Sequence, residues 1–315
     1  MKKHTCFVCD GELNAIGKKY SIEQLFELWY PTKFTGTVIE EHGGQASETQ
    51  LYRCAQCDFE VFLPQIIGSP SFYGELSEPN ENNNKTAYYE DVKWDFLEAQ
   101  NEVKHCQSIV EFGCGPGQFL TQSSLEGRKV VGVEYNEAAI ETAKAKGLEV
   151  YSVGGLPEEL KGTFDGAFTF HVLEHVSSPM DFLSEITSYV KPGGLIGVSV
   201  PNQKGPISYM DPCAMNMPPH HASRWSESSF RHVASRLGLE VERVSFEPLL
   251  LSNHSYYSKY WIERLALGKS DLTRIFLKIL SYALKIFFRG LLLFGFRHFL
   301  LLRGQSIYMV FRKLG

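Results

Sequence analysis

The feature that most constrains this 315-residue chain is the run Ile109-Val110-Glu111-Phe112-Gly113-Cys114-Gly115-Pro116-Gly117, an apolar strand-like segment that carries a carboxylate and ends in a glycine-rich turn. A glycine turn between a strand and a helix lets backbone N–H groups approach a ligand closely, and it usually marks a pyrophosphate at a helix N-terminus. Two details argue against a dinucleotide. The fingerprint glycine, any, glycine, any, any, glycine fails, because counting from Gly113 its last position is Gln118. Glu111 would also repel a pyrophosphate and attract a cation. The turn therefore predicts a ligand that carries an ammonium group and a ribose.

Further strand and helix signals follow in order. Lys129–Glu134 reads as a second strand ending in a carboxylate, at about the 20-residue distance from which an acidic side chain grips ribose hydroxyls in related folds. Residues 136–146 read as an Asn-capped helix stopped by Gly147, and 148–153 as a third strand. Phe164–Val176, with Phe170, His171, Glu174 and His175, reads as a fourth strand and its turn. Tyr189–Gly194 is a turn before a fifth strand over 195–202. From about Ser108 to Asn202 this succession resembles the Rossmann-like (class I) S-adenosylmethionine-dependent methyltransferases. The resemblance implies an α/β fold with a doubly wound, mostly parallel seven-stranded sheet, and an enzyme that uses S-adenosylmethionine as cofactor. It also implies cofactor contacts: Glu111 facing the methionine amino group, Gly113, Gly115 and Gly117 passing beneath the cofactor, Glu134 on the ribose, Tyr135 as a further cofactor contact, Gly155 and Leu156 along the adenine, and Phe170 and His171 in the turn that closes over the methionine end. His175 reads as a packed, hydrogen-bonded histidine.

At 43% hydrophobic residues the chain can bury a full catalytic core and still carry appendages. Its seven cysteines are an odd number and no secretory signal opens it, so a reducing, cytoplasmic setting is expected. Cys6-Phe7-Val8-Cys9 and Cys54-Ala55-Gln56-Cys57 can supply four thiolates to one structural zinc ion. The expected organisation is a zinc-ribbon-like module over 1–68, a polar linker over 69–86 and the methyltransferase domain over 87–315. Cys106, Cys114 and Cys213 lack partner spacing and read as ordinary thiols.

After the fifth strand, residues 202–225 form a proline-rich segment containing Met217-Pro218-Pro219-His220-His221-Ala222-Ser223-Arg224-Trp225. Long irregular loops in compact domains are usually functional, and this one leaves the edge of the sheet where ligands bind. It reads as the substrate loop, with His220 or His221 as the base and Trp225 as a ring for a sugar or planar substrate. The Pro-His-His then Trp pattern is similar to that of small-molecule methyltransferases of bacterial polysaccharide and secondary-metabolite pathways. It implies a small-molecule or glycan acceptor, such as a nucleotide- or lipid-linked sugar. Ser226 to Leu237 should follow as a serine-capped helix ending at Gly238.

Residues 268–315 hold nine Lys or Arg against one acid, a local charge of +8 in a chain of net charge −5. At 100° per residue, Arg274, Lys278, Lys285 and Arg289 fall within about 60° of one another, leaving apolar residues around the rest of the wheel. The stretch 268–304 thus reads as a basic amphipathic helical insertion before a final strand at 305–312, interrupted by charge too often to span a bilayer. Peripheral contact of 271–303 with anionic lipid on the inner membrane face fits this composition. Residues 1–57 carry six Lys or Arg against seven acids. That lacks the basic footprint of nucleic-acid binding and argues against the alternative of a ribosomal RNA methyltransferase. A non-catalytic cofactor-binding scaffold is the other alternative, and intact Glu111, Glu134 and glycines argue against it.

Overall fold

The structure is a computed structural model that describes residues 4–30, 32–77, 93–124, 127–248 and 303–315, with scattered helical residues between 273 and 286. Two sheets dominate it. The larger has seven strands: β5 (Ser108–Phe112), β6 (Lys129–Glu134), β7 (Glu149–Ser152), β8 (Phe164–Phe170), β9 (Val190–Pro201), β11 (Leu239–Pro248) and β12 (Arg303–Lys313). Their order is β11-β12-β9-β8-β5-β6-β7. The five strands from β7 to β9 run parallel, and β12 lies antiparallel between β9 and β11. The expected doubly wound sheet and the antiparallel last strand beside the fifth are both present. The expected turn at 189–194 is instead absorbed into β9 as an irregularity, because Phe164 pairs with Val190 and Gly166 with Leu195.

Helices α4 (Trp94–Val103), α5 (Gln118–Ser124), α6 (Glu137–Ala145), α7 (Pro179–Tyr189) and α8 (Glu227–Leu237) join and cover the strands. Their ends follow local chemistry. Asn136 accepts the N–H groups of Ala138 and Ala139 at the start of α6. Ser226 and Ser229 form a reciprocal cap on α8, which Gly238 stops in the left-handed conformation at φ 64°. Strand side chains alternate between two buried faces. In β12, Ile307, Met309 and Phe311 enter one core while Tyr308 and Val310 enter the other.

The smaller sheet contains β1 (His4–Thr5), β2 (Glu12–Ser21), β3 (Glu48–Cys54) and β4 (Glu60–Leu63), with α1 (Ile22–Glu27) and α2 (Gly36–Gln45) inserted between β2 and β3. Its fifth strand comes from the far side of the chain: β10 (Ser223–Arg224) pairs antiparallel with β4. The expected boundary at residue 68 is therefore crossed by hydrogen bonding. The expected linker also differs. Residues Pro70–Ser77 form a helix, α3, because Phe72 is wholly buried against Phe26, Trp29 and Phe34, which outweighs the polar character of the segment. Residues 78–86 lie outside the described residues, as does most of the 268–304 insertion. Phe276, Ile279, Leu280, Tyr282 and Ile286 within that insertion are exposed, and no helix among the described residues is long and apolar enough to cross a membrane.

Candidate active site

The glycine turn leaves β5 with Gly113 at φ 78° and Gly117 at φ 80°, conformations that L side chains seldom adopt. A Cβ on Gly113 would fall 2.2 Å from Cγ2 of Val172, and one on Gly117 would fall 2.3 Å from Cδ1 of Leu148. The turn is thus pressed against the segment after β8 and against the end of the α6 unit. Glu134, at the end of β6, braces it. Its Oε2 accepts the N–H of Gly115 at 2.8 Å, and its Oε1 accepts those of Tyr135 and Asn136 at 2.8 and 2.9 Å. The β7 turn is tied to the same place by the Val153 N–H on the Glu134 carbonyl. Gly155 follows in a turn closed on Ser152, and buried Leu156 is held through its carbonyl by the Tyr189 hydroxyl. Tyr135, which follows Glu134, is half-exposed.

Glu111 is 2% exposed, and its Oε2 has no hydrogen-bond partner. Burial pushes its carboxyl well above the usual range, and the neighbouring Glu134 adds to this while Lys93 opposes it. A buried carboxyl with an unsatisfied oxygen beside a glycine turn fits a ligand's ammonium group, the donor set expected of the methionine end of S-adenosylmethionine.

His171 lies just past β8 at φ 55°, a left-handed conformation uncommon for a side-chain-bearing residue. Its Nε2 is 3.1 Å from Oδ2 of buried Asp95, and its Nδ1 is 3.4 Å from Oε1 of buried Glu174. Burial works against its charged form, yet the two carboxylates raise its pKa to about 10, so the ring is an imidazolium. Phe170 turns its ring into the core against Phe96 and Phe119. The ring expected to face the cofactor is thus largely buried in the core, on the face the strand's alternation gives it.

Four residues beyond His171, His175 meets the substrate loop. Its ring lies 4.7 Å from that of His220 and 4.9 Å from that of His221, which stack on each other at 4.4 Å. The loop histidines are 3% and 5% exposed, and Trp29, Phe72 and Tyr73 surround His220. Burial, then the neighbouring imidazoles, hold both well below the ordinary histidine value and keep them neutral. The structure thus joins the two expected base candidates to His175, expected only to pack, around Glu174.

Trp225 does not face a substrate. It is fully buried, its ring between Phe59 and Phe230 and its N–H on the Ser223 hydroxyl. The expectation of a stacking platform is corrected: Trp225 cements the N-terminal sheet to the larger one, and with neither ring face exposed it cannot receive a sugar. Asp95, Glu174 and Tyr73 were absent from the sequence reading of the site. Asp95 lies in the first turn of α4 and Glu174 in the segment after β8, but only the fold aims them at histidines.

The four cysteines converge as expected. Cys6 and Cys57 Sγ atoms are 3.5 Å apart and Cys9 and Cys54 are 3.4 Å apart, far beyond a disulfide bond, and all four lie within 4.8 Å. The two knuckles repeat one geometry. The Asp after each second cysteine, Asp10 and Asp58, is left-handed at φ 61° and 62°, and its N–H closes on the carbonyl of the first cysteine. Four sulfurs so placed fit a tetrahedral ion with no open position.

Residues 75–244 match the methyltransferase-domain family. The chain belongs to this family. The chain is 31% identical over 110 residues to a ubiquinone biosynthesis O-methyltransferase of Dechloromonas aromatica, covering 32% of this chain and 47% of that protein. It is 28% identical over 172 residues to a tRNA U34 carboxymethyltransferase of Pseudoalteromonas translucida, about half of each chain at 51%. The chain thus spans about half the length of the curated relatives it matches. A solved S-adenosylmethionine-dependent methyltransferase from Archaeoglobus fulgidus superposes with a TM-score of 0.45 at 18% identity, covering 69% of this chain and 92% of that one.

Proposed function

We propose that the chain transfers a methyl group from S-adenosylmethionine to a hydroxyl of a small-molecule or glycan acceptor, of the kind represented by a nucleotide- or lipid-linked sugar. The observation that carries this reading is Glu111, a buried carboxyl with an unsatisfied oxygen beside the glycine turn of a methyltransferase-family domain. When bound, the cofactor supplies a methyl group on a sulfonium, which the acceptor oxygen displaces in line while the carbon–sulfur pair returns to sulfur.

The protein's share is orientation and proton removal. Glu111 would pair with the cofactor's ammonium, and Glu134 would keep the glycine turn open while accepting from the ribose. The His171 imidazolium, fixed by Asp95 and Glu174, would close the methionine end. Removal of the acceptor proton falls to the neutral cluster holding His220 and His221, the form in which an imidazole accepts a proton or binds a cation. A structural zinc ion on Cys6, Cys9, Cys54 and Cys57 would fix the N-terminal sheet and, through β10, the loop carrying both histidines. The exposed apolar residues between 276 and 286 support contact of the basic insertion with an anionic lipid surface.

The test is methyl-labelled S-adenosylmethionine with a panel of nucleotide sugars, lipid-linked sugars, simple catechols and RNA. Label entering a hydroxylated small molecule, and lost in Glu111→Gln, supports the reading. Label entering RNA alone would replace it.

A further inference from the structure

Three imidazoles from two distant segments converge beside the cofactor-facing groups. One ring nitrogen from each of His175, His220 and His221 lies within 4.8 Å of the others. The hydrogen bonds on the far sides of two rings set their tautomers. His175 Nδ1 is 2.5 Å from the His220 carbonyl oxygen and 2.9 Å from the Tyr73 hydroxyl. His221 Nδ1 is 3.4 Å from Oδ1 of Asn216. Carbonyl oxygens only accept, so the contact with the His220 carbonyl puts a proton on Nδ1 of His175, and the Asn216 oxygen favours the same tautomer in His221.

Both Nε2 atoms then face an anion. Oε1 of Glu174 is 3.9 Å from Nε2 of His175 and 3.9 Å from Nε2 of His221. That is too long for a hydrogen bond. Glu174 is 1% exposed, and beyond its ion pair with His171 neither carboxylate oxygen takes a hydrogen bond. The His171 imidazolium balances Glu174 on one side, and a cation between Glu174 and the two Nε2 atoms would balance it on the other.

We propose that His175, His220 and His221 hold a divalent transition-metal cation, with Glu174 as its neighbouring anion. Donors at about 2.1 Å in a tetrahedral set stand roughly 3.4 Å apart, so nitrogens that lie within 4.8 Å of one another would draw together around the ion. Imidazole donors favour zinc and its transition-metal neighbours over magnesium or calcium. The far-side hydrogen bonds are those that orient metal-bound histidines. This deepens the methyltransferase reading, and rests on it only for what the cation acts upon. A coordinated acceptor hydroxyl would be made more acidic and would release its proton to the Glu174 carboxylate. With the cation bound, Glu174 takes over the proton that the metal-free imidazoles would otherwise accept.

The test uses the full chain loaded with zinc. The proposal expects two zinc ions per chain and a zinc absorption edge showing both sulfur and imidazole shells. A His175→Gln, His221→Gln double variant should retain one zinc in an all-sulfur shell. One zinc per wild-type chain with sulfur ligands alone overturns the proposal, and needs no variant to fold. S-adenosylmethionine titration of the same sample keeps the two readings apart. A second, imidazole-bound zinc without cofactor binding would remove the methyltransferase reading and leave the metal site standing.

Discussion

Substituting Gly113 by Ala should cost more than its single added methyl suggests, and the structure says where the cost arises. The left-handed φ of 78° penalises an L side chain by about 1–2 kcal/mol. The new Cβ would also lie 2.2 Å from Cγ2 of Val172, with Cβ and Cγ1 at 3.4 and 3.5 Å. Forcing a methyl into such a contact costs about 1–3 kcal/mol. The sum is about 2–5 kcal/mol of folding stability. Only the second part depends on Val172, so Gly113→Ala in a Val172→Ala background should recover about 1–3 kcal/mol relative to additivity. Urea unfolding of the four proteins measures the cycle. Because Val172 follows His171 and precedes Glu174, the same cycle reports whether the cofactor turn is mechanically joined to the histidine turn. A Gly113→Ala variant within about 0.5 kcal/mol of wild type, or strictly additive doubles, would refute the packing described here.

Trp225→Ala should destabilise the chain by about 3–5 kcal/mol, read by urea unfolding, because the ring is fully buried between the two sheets. A substrate platform would instead raise KM with stability unchanged. Cofactor affinity should depend on pH through Glu111. Burial raises its pKa in the free protein, and the cofactor's ammonium lowers it in the complex, so binding expels a proton between those two values. Affinity should therefore climb with pH through that window, by up to about tenfold per unit, and level off above it. Calorimetry in buffers of differing ionisation enthalpy would show the released proton, and uptake would contradict the sign. Removing zinc by chelation, or by Cys54→Ser with Cys57→Ser, should raise hydrogen exchange in 48–63 and 220–226 while β5 and β8 stay protected. Equal loss of protection everywhere would contradict the link through β10.

The larger sheet was legible because several of its strands carry local signals, the glycine turn after β5 and the carboxylate that ends β6 above all, and such signals depend on neighbours in sequence. Glu111, Glu134 and the four cysteines belong to such local patterns: the first two lie on β5 and at the end of β6, and the four sulfurs converge. Trp225 and α3 were misread for the opposite reason. An aromatic in a loop and a polar segment take their roles from partners far away, Phe59 for one and the Trp29–Phe34 cluster for the other. β10 shows the same limit at the level of domains, since two residues pairing with β4 carry no strand signal of their own. The histidine cluster fell between these cases: His220 and His221 drew notice as a pair, but their meeting with His175 around Glu174 spans 45 residues of chain and exists only in the fold.

The central claim is that this fold binds S-adenosylmethionine through Glu111. Calorimetric titration of the full chain with S-adenosylmethionine, beside Glu111→Gln, tests it most directly. The account predicts one cofactor per chain for the wild type and at least a tenfold weaker complex for the variant, whose neutral amide still fills the space but cannot pair with the ammonium. A well-folded wild-type protein that binds no cofactor, or a variant that binds equally well, would contradict it.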